Sequence, residues 1–315
     1  MKNIYSNIYS FNKKILKKTV DYLNRGNIAS LPTETVYGLG GNAYSNKAIK
    51  KIFNLKKRPK NNPLIIHYFG LKNLKKDVIL NKNFLKLYKK FCPGAITFVL
   101  KKNKKSEISS LATANLDTVA IRFPKHKIIR SILKSLNFPL AMPSANLSSN
   151  LSPVKALDVF DEFGKKLNII IDGGKSKIGI ESTVIDLTGK PKILRPGIIS
   201  KNKINQILKV HLSKEKLKLK SPGMLKKHYS PGIPVILNKK PSSLNDAYIV
   251  IGKKFSNKKN FFNLSKNNNL NEAAANLYKT MRIIKKKGYK KIFVTKIPNL
   301  GPGIAINDRL KRASN

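Results

Sequence analysis

The residues best suited to chemistry are concentrated in one stretch, Leu55 to His67, which reads LKKRPKNNPLIIH. It carries Lys56, Arg58, Asn62 and His67 and includes the apolar run Pro63–Ile66. A planar guanidinium beside a flexible ammonium suits a polyphosphate, because Arg offers a two-pronged grip and Lys a movable point charge. Pro59 and Pro63 cannot donate backbone hydrogen bonds, and they bias Arg58 and Asn62 toward extended conformations. In an extended chain positions i and i+2 share a side, so Lys56 and Arg58 are expected to aim two cations at one spot. The competing reading is a solvated surface pair, since lysine is abundant along the whole chain.

Other polar groups cluster where apolar runs end. In PTETVYGLGG, Thr33, Thr35 and Tyr37 share a side if the preceding strand continues, and the glycines permit a turn. Arg122 ends the apolar run TVAIRFP, either as a functional cation or as a surface cap. Ser144 and Asn146 end another run, where small hydroxyl and amide groups let a ligand approach the backbone; a simple Ser or Asx turn is the alternative. No Ser-His-Asp or Cys-His arrangement is evident. The single cysteine, Cys92, rules out an intramolecular disulfide and a Cys-based zinc site, and fits a reducing cytoplasm.

These groups need a scaffold, and 315 residues suffice for two domains of about 150 each. At 41% hydrophobic the chain can build a sizeable core. No apolar run reaches the roughly 18 residues of a membrane span, and the polar start MKNIYSNIYSFNKK lacks a signal-peptide apolar region. The formal charge is +49. Nucleic-acid binding would explain it, and so would compositional drift toward Lys, Asn and Ile, because the lysines are dispersed and not gathered in one arm. Where Lys is the default cation, the eight arginines, Arg58, Arg122 and Arg195 among them, are expected where geometry matters.

Periodicity predicts helices over Lys13–Asn24, from Asn46 as cap into Leu55, and over Phe84–Phe91, Ile128–Leu136 and Ile204–Val210. Strands are expected at Ile28–Pro32, Ala95–Leu100, Thr118–Pro124, Leu140–Met142, Asn168–Ile171, Gly179–Leu187 and Lys192–Arg195, with Lys101–Asn115 a mobile polar loop. This mix reads as an α/β domain over 1–212. A Pro- and Gly-rich linker, 213–233, carries His228 and Tyr229 and either closes over the site as a lid or only docks the second domain. From 234 to 315, strands at Val235–Leu237, Ala247–Ile251 and Lys291–Lys296 with helices at Asn271–Lys287 (Gly288 as C-cap) and Ile304–Ala313 suggest a small parallel-sheet, Rossmann-like α/β domain, without a G-x-G-x-x-G loop.

PTETVYGLGG, KKRPKNNPLIIH, TVAIRFP, PSANLSS, GIESTVIDL, LRPG and SPGMLKKHYSP occur in this order. Together they resemble the two-domain form of the threonylcarbamoyl-AMP synthase family, and the likeness runs to GPGIAINDRLKRA near the end. Met142, Ser149 and Ala95 depart from the residues usual in the family. The resemblance implies a YrdC-like mixed twisted sheet with flanking helices and a concave site. It implies that L-threonine, bicarbonate and ATP give threonylcarbamoyl-AMP and pyrophosphate, with Mg²⁺ arriving on ATP and not on a dedicated protein site. Partner proteins would pass the product to tRNA, whose contact with this chain would be weak or indirect, and no membrane is involved. By the same resemblance Lys56 and Arg58 are catalytic and, with Arg195, hold phosphates; Asn62, Thr118, Ser144, Asn146, Ser152 and Tyr229 hold the rest of ATP. Thr35, His67, Arg122, Met142 and Ser182 hold threonine. Two other classes compete: a basic RNA-binding module without catalysis, and another carbamoyl- or adenylyl-transfer enzyme on the same scaffold.

Overall fold

The computed structural model describes residues 5–210, 212, 228–240, 243–253 and 259–315. Most of the linker, Ser213 to Lys227, lies outside the described residues. Up to Leu208 the chain runs β1 (Ile8–Ser10), α1 (Lys13–Asn24), β2 (Ala29–Leu31), β3 (Gly38–Asn42), α2 (Asn46–Lys56), β4 (Ile65–His67), α3 (Lys82–Phe91), β5 (Ile96–Lys101), β6 (Thr118–Arg122), α4 (Lys127–Lys134), β7 (Leu140–Ala141), α5 (Ala156–Phe163), β8 (Ile170–Asp172), β9 (Thr183–Asp186), β10 (Lys192–Arg195) and α6 (Lys201–Leu208). The second part adds β11 (Val235–Leu237), β12 (Ala247–Val250), β13 (Phe261–Asn263), α7 (Leu270–Lys286), β14 (Ile292–Val294) and α8 (Pro302–Ala313).

The first ten strands form one mixed sheet, ordered β1-β8-β2-β3-β7-β4-β6-β5-β9-β10. The last four form an all-parallel sheet, β11-β14-β12-β13. On one face of the large sheet, α2, α3, α5 and α6 bury Ile52, Phe84, Val159 and Ile204 against Ile66, Phe98 and Ile121. On the other, α1 and α4 bury Leu23, Ile129 and Ile132 against Leu31, Leu140 and Ile171. A smaller cluster on β4, β6, β5, β9 and β10, made of Ile65, Ala120, Val99, Val184 and Leu194, adjoins the candidate site.

Local chemistry explains the differences from the sequence reading. Ser45, not Asn46, caps α2, because its hydroxyl accepts from the Ala48 amide; the Asn46 side chain accepts from Ser109 Oγ instead. Lys56 and Arg58 do not lie in an extended strand. Lys56 is the last residue of α2, and Lys57 turns left-handed (φ 50°), so the Arg58 amide bonds back to the Phe53 carbonyl. Thr33, Thr35 and Tyr37 do not continue β2, because Thr33 Oγ1 accepts from the Thr35 and Val36 amides and folds the chain into a turn. The segment after β5 is no mobile loop: Ile108 and Ala112 enter the core, and the Ala112 carbonyl accepts from the Leu64 amide. Lys287 caps α7, with Gly288 (φ 80°) one residue beyond. The structure adds strands β1 and β13 and helix α5, which the sequence reading did not include.

The two parts share a core. Val36, Leu151, Val154 and Ile180 pack with Leu277, Tyr278 and Ile306 of α7 and α8, and with Tyr229 of the linker. Gly179 (φ 75°) permits this approach, since a Cβ there would meet the Ala274–Ala275 backbone. No helix among the described residues is long and apolar enough to cross a membrane.

Candidate active site

Sheet register lines up one half of the site. His67 on β4 and Thr97 on β5 both stand opposite Arg122 on β6. Thr97 Oγ1 and Ser182 Oγ lie 2.7 Å apart, which extends the row to the turn before β9. His67 and Arg122 of this row line a cleft, with Thr97 and Ser182 behind them. Of the residues expected in the site, Arg58, His67, Arg122, Met142, Ser144, Arg195 and Tyr229 line this cleft.

Cations dominate one side. Arg58 donates Nε to the Asn62 carbonyl (3.0 Å) and Nη2 to Asn62 Oδ1 (2.6 Å) and the Pro63 carbonyl (3.0 Å). Burial first, then neighbouring Arg195, pulls its pKa down to about 9, which leaves it protonated at neutral pH. Lys56 stands behind the lining, with Nζ held by the Ser144 (2.6 Å) and Asn146 (2.5 Å) carbonyls. Burial and Arg58 lower its pKa well below the ordinary lysine value. Arg195 donates Nε to the Ser182 carbonyl (3.1 Å) and Nη2 to Ser182 Oγ (3.2 Å). Among the described residues no carboxylate lies within ion-pair distance of Lys56 or Arg58.

The other side is neutralised. Arg122 Nη2 donates to Glu34 Oε1 at 2.7 Å, and Glu34 Oε2 accepts from the Lys125 (3.0 Å) and His126 (3.3 Å) amides. Burial opposes the Glu34 charge, but Arg122 outweighs it and the carboxyl sits below its ordinary value. Arg122 Nε has no partner among the described residues. His67 is buried beside it and is held neutral, its pKa lowered to about 3 by burial first and Arg122 second. Met142 packs its side chain against Gly38, where a Cβ would collide with it.

The remaining expected residues stand behind or beside the cleft. Asn62 and Asn146 are buried and brace Arg58 and the Ser144–Asn150 turn. Thr35 lies 2.9 Å from Thr33, hydroxyl to hydroxyl, one layer back. Thr118 is partly exposed at the far end of β6, on the same face as Ala120 and Arg122. Ser152 donates to Glu181 Oε1 at 2.5 Å.

Sequence reasoning missed Glu34, Glu181, Tyr278 and Arg309. Glu181 lines the cleft, and Tyr278 Oη and Arg309 Nε reach it from α7 and α8. Desolvation would raise Glu181, but Arg309 and Arg195 hold it at about 2. Rarity was the available signal: only 15 acidic residues accompany 64 Lys and Arg, so an acid inside a motif stands out as an arginine does. His228, from the linker, also borders the cleft and is pushed to about 3 by burial, with Arg58, Lys56 and Arg195 adding to it against Glu181. Tyr229 (φ 63°) stacks on Tyr278 at 5.8 Å, and its hydroxyl has no partner among the described residues.

The Sua5/YciO/YrdC family model, described as "Telomere recombination", matches residues 21–197, and a second, "Threonylcarbamoyl-AMP synthase, C-terminal domain", matches 199–315. The threonylcarbamoyl-AMP synthase of Pyrococcus abyssi is 36% identical over 93% of this chain and 92% of its own length. The chain belongs to the threonylcarbamoyl-AMP synthase family. Its Bacillus subtilis relative of the same name is 34% identical over 97% of this chain and 94% of that one. The crystal structure of P. abyssi Sua5 complexed with L-threonine superposes with a TM-score of 0.89 at 33% identity, covering 98% of this chain and 97% of that one. Membership of the family makes this chain an enzyme of nucleotidyl transfer from ATP in tRNA modification.

Proposed function

We propose that the chain condenses L-threonine, bicarbonate and ATP into L-threonylcarbamoyl-AMP and pyrophosphate, in the cytoplasm, for transfer by partner proteins to tRNA. The observation that carries this reading is the division of the cleft. A buried cation cluster, in which Lys56 and Arg58 have no carboxylate partner among the described residues, adjoins an arginine already balanced by Glu34. The first suits a polyphosphate and the second a small zwitterion.

The amine of threonine captures bicarbonate carbon with loss of water, and a carbamate oxygen then attacks the α-phosphorus as pyrophosphate leaves. No protein nucleophile is needed, so catalysis is positioning and charge stabilisation. Arg58 and Arg195 grip the phosphates from the cleft wall. Lys56 uses two of its three N–H donors on carbonyls, and the third and its charge serve the phosphates. Asn62, Ser144, Asn146 and Ser152 shape the nucleotide side, Thr118 continues it along the face of β6, and Tyr229 closes over it. Arg122 takes the threonine carboxylate through its unpartnered Nε, while Thr35, His67, Met142 and Ser182 surround the amino acid. Mg²⁺ enters as part of the ATP substrate and offsets phosphate charge. On the cleft wall Glu181 carries its carboxylate already bonded to Ser152, Tyr278 and Arg309.

On this reading residues 1–212 form the catalytic domain, 213–233 the linker, whose Tyr229 closes over the cleft, and 234–315 the second domain. Mass spectrometry of the product from ATP, L-threonine and bicarbonate tests it. Threonylcarbamoyl-AMP is expected; ATP left intact, with salt-sensitive RNA binding instead, would replace this reading with an RNA-binding module.

A further inference from the structure

We propose that Arg309, on the last helix, is a positioning residue for the nucleotide half of the cleft, acting through Glu181 and the Pro196 carbonyl. The proposal rests on the reading above and gives the second domain a part in the reaction.

Arg309 is 1% exposed. Its Nε donates to Glu181 Oε2 at 2.9 Å, and its Nη1 donates to the Pro196 carbonyl at 2.8 Å and to Asp308 at 2.8 Å. It therefore ties position 181 to position 196. Each lies one residue from the other pair that is tied, because Arg195 bonds Ser182 through both the carbonyl and the hydroxyl. Two chain segments, Glu181–Thr183 and Arg195–Gly197, are thus stapled twice, by Arg195 from the cleft and by Arg309 from behind. They are packed closely enough that a Cβ on Gly197 would meet the Ser182–Thr183 backbone. Glu181 also holds Ser152 at 2.5 Å and Tyr278 at 3.1 Å, so its carboxylate oxygens are committed to fixing neighbours.

The residue type matters. A guanidinium is a rigid fork that serves a carboxylate and a carbonyl in one plane, whereas a lysine ammonium is a single point that cannot take both positions. A buried ion pair is weak evidence for stability, so stability alone does not account for this construction. Aim does: a displacement of about 1 Å in a positioning group can cost roughly a hundredfold in rate. Of the groups proposed for threonine, Arg122 is held by Glu34 and neither touches Arg309, whereas Ser182 lies inside the stapled segment.

The test uses the full chain with Arg309→Lys, Arg309→Met and Tyr278→Phe. Four quantities are measured: ATP affinity without threonine, L-threonine affinity without ATP, kcat for threonine-dependent pyrophosphate release, and melting temperature. Arg309→Lys is expected to melt near wild type, bind threonine no more than a few-fold more weakly through Ser182, bind ATP about tenfold more weakly and turn over roughly ten- to a hundredfold more slowly. Tyr278→Phe shifts the same two quantities less. Should Arg309→Met fail to fold, the other two variants decide. Unchanged ATP affinity and kcat in Arg309→Lys and Tyr278→Phe overturns the proposal, as does parallel loss of ATP affinity, threonine affinity and melting temperature. Wild-type protein that binds ATP yet releases no pyrophosphate refutes the reaction instead, and ATP affinity still reports on Arg309.

Discussion

Arg58→Ala separates what the cation cluster costs the fold from what it contributes to the reaction. Arg58 is 8% exposed, and its pKa of about 9 corresponds to a charge held at a cost of order 3–5 kcal/mol relative to water. Against this stand three hydrogen bonds, to the Asn62 carbonyl, Asn62 Oδ1 and the Pro63 carbonyl, each worth about 1.5–3 kcal/mol from a charged donor. Removing the side chain loses the bonds and relieves the charge, so the unliganded protein is expected to lose roughly 3 kcal/mol, the difference between the two, or several degrees in melting temperature. The liganded state is different, because there the charge is matched. Wild type should be stabilised strongly by ATP or pyrophosphate, and the alanine variant much less. Turnover should fall by about 2–4 kcal/mol in barrier, roughly a hundredfold, as for loss of one preorganised donor. Arg58→Lys should recover part of this, since the fork is gone but the charge remains. Thermal shift with and without pyrophosphate, together with stopped assays of pyrophosphate release, measures both halves. Near wild-type release by the alanine variant, or an undiminished ligand-induced shift, would refute the reasoning.

Three further outcomes are expected. His67 and His228 keep pKa values of about 3 in the fold, whereas an unfolded histidine titrates near 6.5. Their contribution is therefore complete above pH 6.5 and lost as pH falls toward 3, at up to about 1.4 kcal/mol per pH unit for each; urea midpoints that do not fall between pH 7 and 5 would contradict this. A chain ended after Val210 uncovers Val36, Leu151, Val154 and Ile180, about 1.5–3 kcal/mol each, which is comparable to a whole domain's stability. It should unfold at low urea and bind ANS, and a wild-type midpoint would show that the shared core is dispensable. Tyr229→Phe removes only a hydroxyl with no partner among the described residues, so the melting temperature should hold while ATP affinity falls; unchanged ATP affinity would mean that the tyrosine only docks the second domain.

Much of the scaffold was legible because its signals are local. Ile15, Leu16, Val20 and Leu23 recur at helical spacing before Gly26, and α1 spans Lys13–Asn24. The apolar run at Thr118 likewise becomes β6. What escaped was tertiary or masked. The lysines at 101–105 hide Ile108 and Ala112, which anchor that segment in the core. Lys57 adopts a left-handed turn with no glycine to announce it, so the extended reading of Lys56–Arg58 fails although the two charges still meet. The Glu181–Arg309 pair spans 128 positions, and no local pattern encodes such a partner. The motif order pointed to the family, but the division of the cleft into a balanced and an unbalanced half required coordinates.

That division has an energetic consequence. Arg122 enters the reaction already paired with Glu34, so a carboxylate ligand must join or displace an existing ion pair and gains little net charge energy. Among the described residues Lys56 and Arg58 bond only carbonyl and amide oxygens; burial first and then a neighbouring arginine, Arg58 for Lys56 and Arg195 for Arg58, lower the pKa of each, and His228 beside them is neutral. The cleft thus holds a positive field on this side, assembled before substrate arrives, with Tyr229 in its lining and the Glu181 carboxylate on its wall. Such a field interacts most strongly where negative charge is greatest, and charge grows on the phosphate oxygens as the bond to the α-phosphorus breaks. In the proposed reaction, cations fixed in advance would need no reorganisation at that moment, so their stabilisation would be larger for the departing pyrophosphate than for bound ATP, the difference that accelerates a reaction. On that proposal the unfavourable burial of Lys56 and Arg58 in the free protein is the ground-state counterpart of that difference.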